Sequence, residues 1–139
     1  MAIVQFSDRD ILRDKIVDPG WYRVKIETVG ESAAKDAPGK TPSTNYPVEA
    51  TILFNGDTGD VTFRNVPVSW NFNSKAVGFA VGYLKAFGIE VKAGQRFDLK
   101  ASENLELDVY VENDTYNNRI VNRVNHKYRP ANKEVVAIG

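Results

Sequence analysis

The chain has 139 residues, no cysteine, and 18 basic against 18 acidic residues, for zero formal net charge. That length suits one domain able to bury its own core. The missing cysteines exclude a disulfide framework and any thiolate metal site, and the balanced charge excludes coating of polyanions through overall charge.

The opening Met1-Ala2-Ile3-Val4-Gln5-Phe6 has neither the basic flank nor the long apolar run of a secretory signal, and no stretch is long enough to span a membrane. The expected location is the cytoplasm. Ser7 is placed to cap a short helix from Asp8 to about Lys15, with Asp8 and Asp10 complementing its dipole and Ile11 and Leu12 as apolar anchors. After the turn Pro19-Gly20, residues Trp21 to Val29 alternate. Tyr22, Val24 and Ile26 share one face and Trp21, Arg23, Lys25 and Glu27 the other, as in a half-buried strand. Gly30 to Asn45 is rich in turn-forming residues, lacks bulky aliphatics and reads as a long mobile loop, a length that favours a binding role. Tyr46 to Asn55 resumes a strand, with Tyr46, Val48, Ala50, Ile52 and Phe54 on one face. Asn55-Gly56 opens a hairpin. Its returning strand is expected from Asp60 to about Trp70, and the apolar phase slips near Asn65 as it would at a bulge.

A helix is expected from Ser74 to Phe87, capped by Asn73 or Ser74 and stopped by Gly88, with Val77, Ala80, Val81, Leu84 and Phe87 as its apolar stripe. Gly78 and Gly82 within it read as packing features. Leu105 to Val111 alternates again, a polar turn covers residues 113–118, and a last strand runs from Arg119 to Tyr128. On that strand Arg119, Val121, Arg123, Asn125 and Lys127 share one face and Ile120, Asn122, Val124, His126 and Tyr128 the other, and periodicity leaves open which is inward. Three strands, a helix and two strands is the element order of an oligonucleotide-binding barrel. The expected fold is therefore mainly β, a five-stranded Greek-key barrel over residues 19–130 with one helix between strands three and four. A short N-terminal helix lies in an extension over residues 1–18, and a tail covers residues 131–139.

Signatures of catalysis are missing. His126 is the only histidine, and no Ser, Cys or Lys nucleophile sits in a recognisable catalytic motif. Gly39-Lys40-Thr41 lacks the upstream glycine and following helix of a phosphate loop. Glu106, Asp108, Glu112 and Asp114 offer the oxygens a hard cation wants, without the glycine and terminal glutamate of a calcium loop. The expectation is a binding protein without catalytic residues, metal or cofactor.

Single-strand binding needs cations for phosphates and exposed aromatic faces for bases. The outward set Trp21, Arg23 and Lys25 is the best local cluster. Lys35 and Lys40 in the long loop, Arg64, Tyr110, Tyr116, and Arg119, Arg123 and Lys127 on the last strand complete the candidate DNA-binding residues. The preceding segment is acidic (Glu103, Glu106, Asp108, Glu112, Asp114), so the basic run is readable equally as a functional stripe or as the complement of an acidic neighbouring strand.

Pro19-Gly20-Trp21-Tyr22-Arg23-Val24, the Lys35-containing loop, the helix end Leu84-Lys85-Ala86-Phe87-Gly88-Ile89 and the closing Tyr116-Asn117-Asn118-Arg119-Ile120-Val121-Asn122-Arg123-Val124 resemble small bacteriophage single-stranded DNA-binding proteins over roughly residues 19 to 130. The resemblance implies an oligonucleotide-binding barrel that protects single-stranded DNA in phage replication or recombination, inside the host cytoplasm. RNA is the second candidate ligand, and self-association is compatible with it. The chain departs from such proteins at its end, where Asn132-Lys133-Glu134-Val135-Val136-Ala137-Ile138-Gly139 replaces an acidic tail. A non-catalytic phage structural or protein-interaction barrel is the competing expectation, motivated by zero net charge and the glycine-containing helix, and carbohydrate binding is a third.

Overall fold

Alternating burial builds the strands. Tyr22, Val24 and Ile26 are buried along β1 (Gly20–Val29), Val48, Ala50 and Ile52 along β3 (Thr44–Asn55), and Val68, Trp70 and Phe72 along β4 (Pro67–Asn73). Leu107, Val109 and Val111 do the same on β5 (Glu106–Tyr116), while Val124 is the buried residue of β6 (Arg119–Arg129). A two-residue strand, β2 (Ser32–Ala33), and two helices, α1 (Asp8–Leu12) and α2 (Gly78–Ala86), complete the fold. These elements come from a computed structural model that describes residues 1–138.

The strands form one antiparallel six-stranded sheet in the order β2-β3-β1-β5-β6, with β4 on β3. β2 extends β1 past Gly30 and Glu31: Val29 pairs with Val48, Ser32 with Asn45 and Ala33 with Thr44. β4 takes the opposite edge of β3. The expected five-stranded closed barrel differs from this sheet in two ways. There is a sixth strand, and among the described residues β4 and β6 exchange no ladder bonds. Their side chains close the gap instead, with Trp70 and Phe72 packing on Tyr128 (ring centroids 6.0 and 6.2 Å) and Phe72 on His126 (5.4 Å). The N-terminal segment wedges in beside them. The Asn122 amide on β6 accepts from Val17 N–H (3.0 Å) and donates to the Lys15 carbonyl (2.8 Å), and Val17 is buried in the core.

Several boundaries move for physical reasons. The ladder reaches Ala33–Thr44, so the long loop shrinks to residues 34–43, and Asp36 clasps it by accepting from the Ser43 N–H (2.7 Å) and hydroxyl (2.8 Å). The strand expected from Asp60 begins only at Pro67. The phase slip at Asn65 marks a left-handed turn residue (φ 71°) in the connection, not a bulge within a strand. The polar turn over 113–118 contracts to Asn117-Asn118, whose φ values of 49° and 62° are those of a two-residue hairpin turn with both central residues left-handed. On β6 the Val124 and Tyr128 face is inward, with a bulge opposite Val109–Val111 in which His126 takes φ 54°.

The helices also deviate from their patterns. Ser7 and Asp10 form the reciprocal cap of α1, yet no residue of α1 is buried, and Ile11, expected as an anchor, is 69% exposed. The second helix begins with a 3-10 turn over Ser74–Ala76, and Asn73 caps that turn by accepting from Lys75 N–H. Its core contacts come from Tyr83, Leu84 and Ala86, while Val77 is exposed. Among the described residues, no helix is long and apolar enough to cross a membrane.

Candidate nucleic-acid interface

Trp21 and Tyr110 face each other directly across β1 and β5, and their rings meet edge to face at 5.5 Å between centroids. Both are half-buried. Two cations of β6 lie over them: the Arg129 guanidinium is 4.4 Å from the Trp21 ring and Lys127 Nζ is 5.2 Å from the Tyr110 ring. A cation over an aromatic face is attracted by the ring quadrupole. The strand register thus assembles two aromatic and two cationic side chains on the outward face of β1, β5 and β6.

Beneath this group lies a buried ionic network that the sequence pattern does not announce. The alternation places Arg23 outward beside Trp21. The structure corrects its availability: Arg23 is buried, donates from Nε to Asp108 Oδ1 at 2.6 Å and from Nη2 to the Asn132 carbonyl at 2.8 Å, and stacks over Phe54 at 5.0 Å. Asp108, fully buried, also accepts from Arg129 Nε at 3.0 Å, and Arg129 Nη2 reaches Asp57 at 2.6 Å. Arg23 is therefore a support for the platform and is closed to a phosphate. Gly56 permits the arrangement, since a Cβ there would stand 2.8 Å from Asp108 Oδ2.

The other expected residues are spread more widely. Lys25 lies on the same face of β1, half-buried opposite Glu106. Lys35 and Lys40 are exposed in the 34–43 loop, at the far end of the β1–β2 run from Trp21, and Arg64 is exposed in the connection before β4. Tyr116, 69% exposed, stands beside the β5–β6 turn. Every basic residue of β6 holds a carboxylate: Arg119 pairs with Asp14 (3.4 Å), Arg123 with Asp114, Lys127 with Glu112 (3.3 Å), and Arg129 with both Asp108 and Asp57. The Arg123 side chain, with the Thr115 N–H, holds the Asp114 carboxyl below its ordinary pKa. Complementary neighbouring strands describe the Arg123, Lys127 and Arg129 contacts, which reach Asp114, Glu112 and Asp108 on β5, whereas Arg119 pairs with Asp14 of the N-terminal segment.

Arg129, Asp108 and the pair Phe79–His126 are absent from the DNA-binding residues read from sequence, where Asp108 enters only as a possible cation ligand and His126 only as the lone histidine. Phe79 of α2 stacks on His126 at 4.4 Å with the rings 16° apart, and His126 Nδ1 lies 2.8 Å from the Tyr128 hydroxyl. Burial, then the nearby Arg123, pushes the His126 imidazole below its ordinary pKa. Arg129 follows Lys127 by two residues, so continuing the alternation by one step would have found it. The bulge at His126 could not have been found this way.

No protein-family model matches the chain, and no curated protein sequence matches it.

Proposed function

We propose that this chain is a non-catalytic single-strand-binding domain of the oligonucleotide-binding barrel type, using Trp21 and Tyr110 as its stacking platform. The observation that carries the reading is the cross-strand aromatic pair with Arg129 and Lys127 over its rings. Counting β1 and β2 as one long strand, the pairings of β1 with β3, β3 with β4, β1 with β5 and β5 with β6 support the barrel topology. In this reading the β4–β6 side-chain contact stands in for the final ladder. The resemblance to small phage proteins makes the ligand single-stranded DNA exposed during replication or recombination, with RNA as the alternative strand.

The ion pairs set the expected electrostatics. Lys127, Arg123 and Arg119 already hold carboxylates, so a phosphate at β6 must displace an existing partner and few counterions are released there. The logarithm of affinity then falls with the logarithm of salt at a slope of only about −1 to −2, on the rule of about −0.7 per phosphate neutralised on a single strand. Base stacking supplies specificity for unpaired strands, and loss of one stacking ring costs about 1–3 kcal/mol.

Fluorescence anisotropy of labelled single- and double-stranded oligonucleotides, at two salt concentrations, tests this. Binding of the single strand is expected, weakened by Trp21→Ala and largely kept by Trp21→Phe. No binding at low salt, or equal binding by Trp21→Ala, would sink the proposal. The matched charges on β6 favour a second reading, a protein-interaction barrel, which predicts no response to either oligonucleotide and a co-purifying protein.

A further inference from the structure

The two rings of the Trp21–Tyr110 pair carry cations of different kinds. Lys127, over Tyr110, is an ammonium on a flexible stem, 57% exposed and held by one carboxylate, Glu112 at 3.3 Å. Such a group swings readily to a phosphate and leaves the ring face open. Arg129, over Trp21, is held differently. Its Nε donates to the fully buried Asp108 at 3.0 Å and its Nη2 to Asp57 at 2.6 Å, so two carboxylates from separate parts of the chain fix the guanidinium by its edge. The central carbon of that group stands 4.4 Å from the centre of the Trp21 ring, and the side chain remains 33% exposed. Nη1 makes no hydrogen bond among the described residues. A base approaching this face of Trp21 meets the guanidinium first.

We propose that Arg129, backed by Trp21, is the stacking surface for one base of the bound strand, and that this surface selects a purine. The inference rests on the single-strand-binding reading of the platform. A guanidinium plane stacks on nucleobases as an aromatic ring does, and a cation is drawn to the face of a π system by its quadrupole. A purine offers two fused rings to that attraction and a pyrimidine one. An uncharged aromatic platform has little such bias, because every base has a π face. Asp57 and Asp108 do not take the place of the base, since they bind N–H groups in the guanidinium plane and lie off the stacking axis. Nη1 is left to donate to a phosphate oxygen of the same strand. Tyr110, once Lys127 turns to a phosphate, stacks on a neighbouring base directly.

Anisotropy titrations of the full chain with labelled oligo-dT, and with the same oligomer carrying spaced adenines, test the inference. Wild type is expected to bind the adenine-containing strand several-fold more tightly. Arg129→Ala should lose that preference and weaken binding by roughly tenfold. Arg129→Lys keeps a charge beside Asp108, and so the fold, but has no plane to stack; it too should lose the preference, with circular dichroism confirming that both variants are folded. Adding Trp21→Ala to Arg129→Ala should cost little more, because the two side chains act as one stack. Without nucleic acid, acrylamide should quench tryptophan more strongly in Arg129→Ala than in wild type, since the variant uncovers Trp21. Arg129→Ala binding as tightly as wild type or tighter would make the guanidinium a lid over Trp21, and overturns the inference while the single-strand reading stands. So does a preference that survives in Arg129→Lys, or none in wild type. Failure of wild type to bind either strand overturns the platform reading and this inference together.

Discussion

Removing the charge of Asp108 should be the most damaging conservative change in the molecule. Its carboxylate is fully buried and shared between Arg23 Nε at 2.6 Å and Arg129 Nε at 3.0 Å. Asp108→Asn preserves volume, which matters beside Gly56, but turns an N–H₂ group toward a guanidinium and deletes the charge opposite an arginine only 5% exposed. Breaking a buried ion pair from one side costs about 3–5 kcal/mol because the remaining ion keeps its desolvation penalty. Arg129 retains Asp57 at 2.6 Å and is partly solvated, so the lower end, about 3 kcal/mol, is expected. With a urea dependence of about 1–3 kcal/mol per molar, the unfolding midpoint should fall by roughly 1 M or more. The pair Arg23→Met with Asp108→Leu removes both ions and should recover most of the loss, since apolar replacement of a buried pair is often neutral. Urea unfolding followed by circular dichroism measures both. A loss below about 1 kcal/mol for Asp108→Asn, or a double variant less stable than the single, would refute the claim that desolvated charge governs this site.

Gly59→Ala should release the C-terminal segment, because at φ 79° an added Cβ would stand 2.0 Å from the Val136 carbonyl oxygen; faster proteolytic trimming of residues 130–138 is the readout. Tyr83→Phe removes a 2.7 Å hydrogen bond to Ser102 and should cost about 1 kcal/mol in urea unfolding at neutral pH. Burial pushes the Tyr83 phenol up to about 12, above its unfolded value of 10, so its contribution is complete below pH 10 and lost as pH rises towards 12. The gap between wild type and Tyr83→Phe should narrow over that window. His126 has the opposite sign. Its pKa is depressed on folding, so its contribution is present above the unfolded value near 6.5 and is lost as pH falls through the lower folded value. His126→Asn should flatten that part of the stability curve in denaturation series run from pH 8 to pH 5, and equal slopes in the two proteins would contradict it.

Local patterns carried over into the structure where one residue's environment decided its state. The alternation along β1 buried Tyr22, Val24 and Ile26, and Gly88 (φ 79°) closes the helix. Patterns failed where distant groups compete. Arg23 alternates like a solvent residue, but Asp108, Phe54 and the Asn132 carbonyl converge on it from three other parts of the chain. In α2 the expected stripe is only partly inward, with Leu84 buried and Ala80 and Phe87 packed on the core but Val77 exposed, while Tyr83, off that stripe, packs among Trp70, Phe72, Phe87 and Tyr128. The two-residue turn at Asn117-Asn118 was obscured by its neighbours, since Asn113, Asp114 and Thr115 suit turns as well but are drawn into the β5–β6 ladder. For the candidate interface, residue types were visible and adjacency was not: Trp21 and Tyr110 are nearly ninety positions apart, and only register places them together.

Where β4 meets β6, the sheet is joined by ring contacts, and beside that seam one amide of β6, Asn122, imitates a neighbouring strand for Val17 and Lys15 of the N-terminal segment. Parting that line breaks no ladder bond, unlike every other division between neighbouring strands. It also gives water access to Trp70 Nε1, a buried donor without a partner among the described residues. The cheapest breathing motion is thus a sideways opening along β4 and β6, and the Val17 amide, whose partner is a side chain on the moving edge, should exchange its hydrogen well before the amides of β1 and β5.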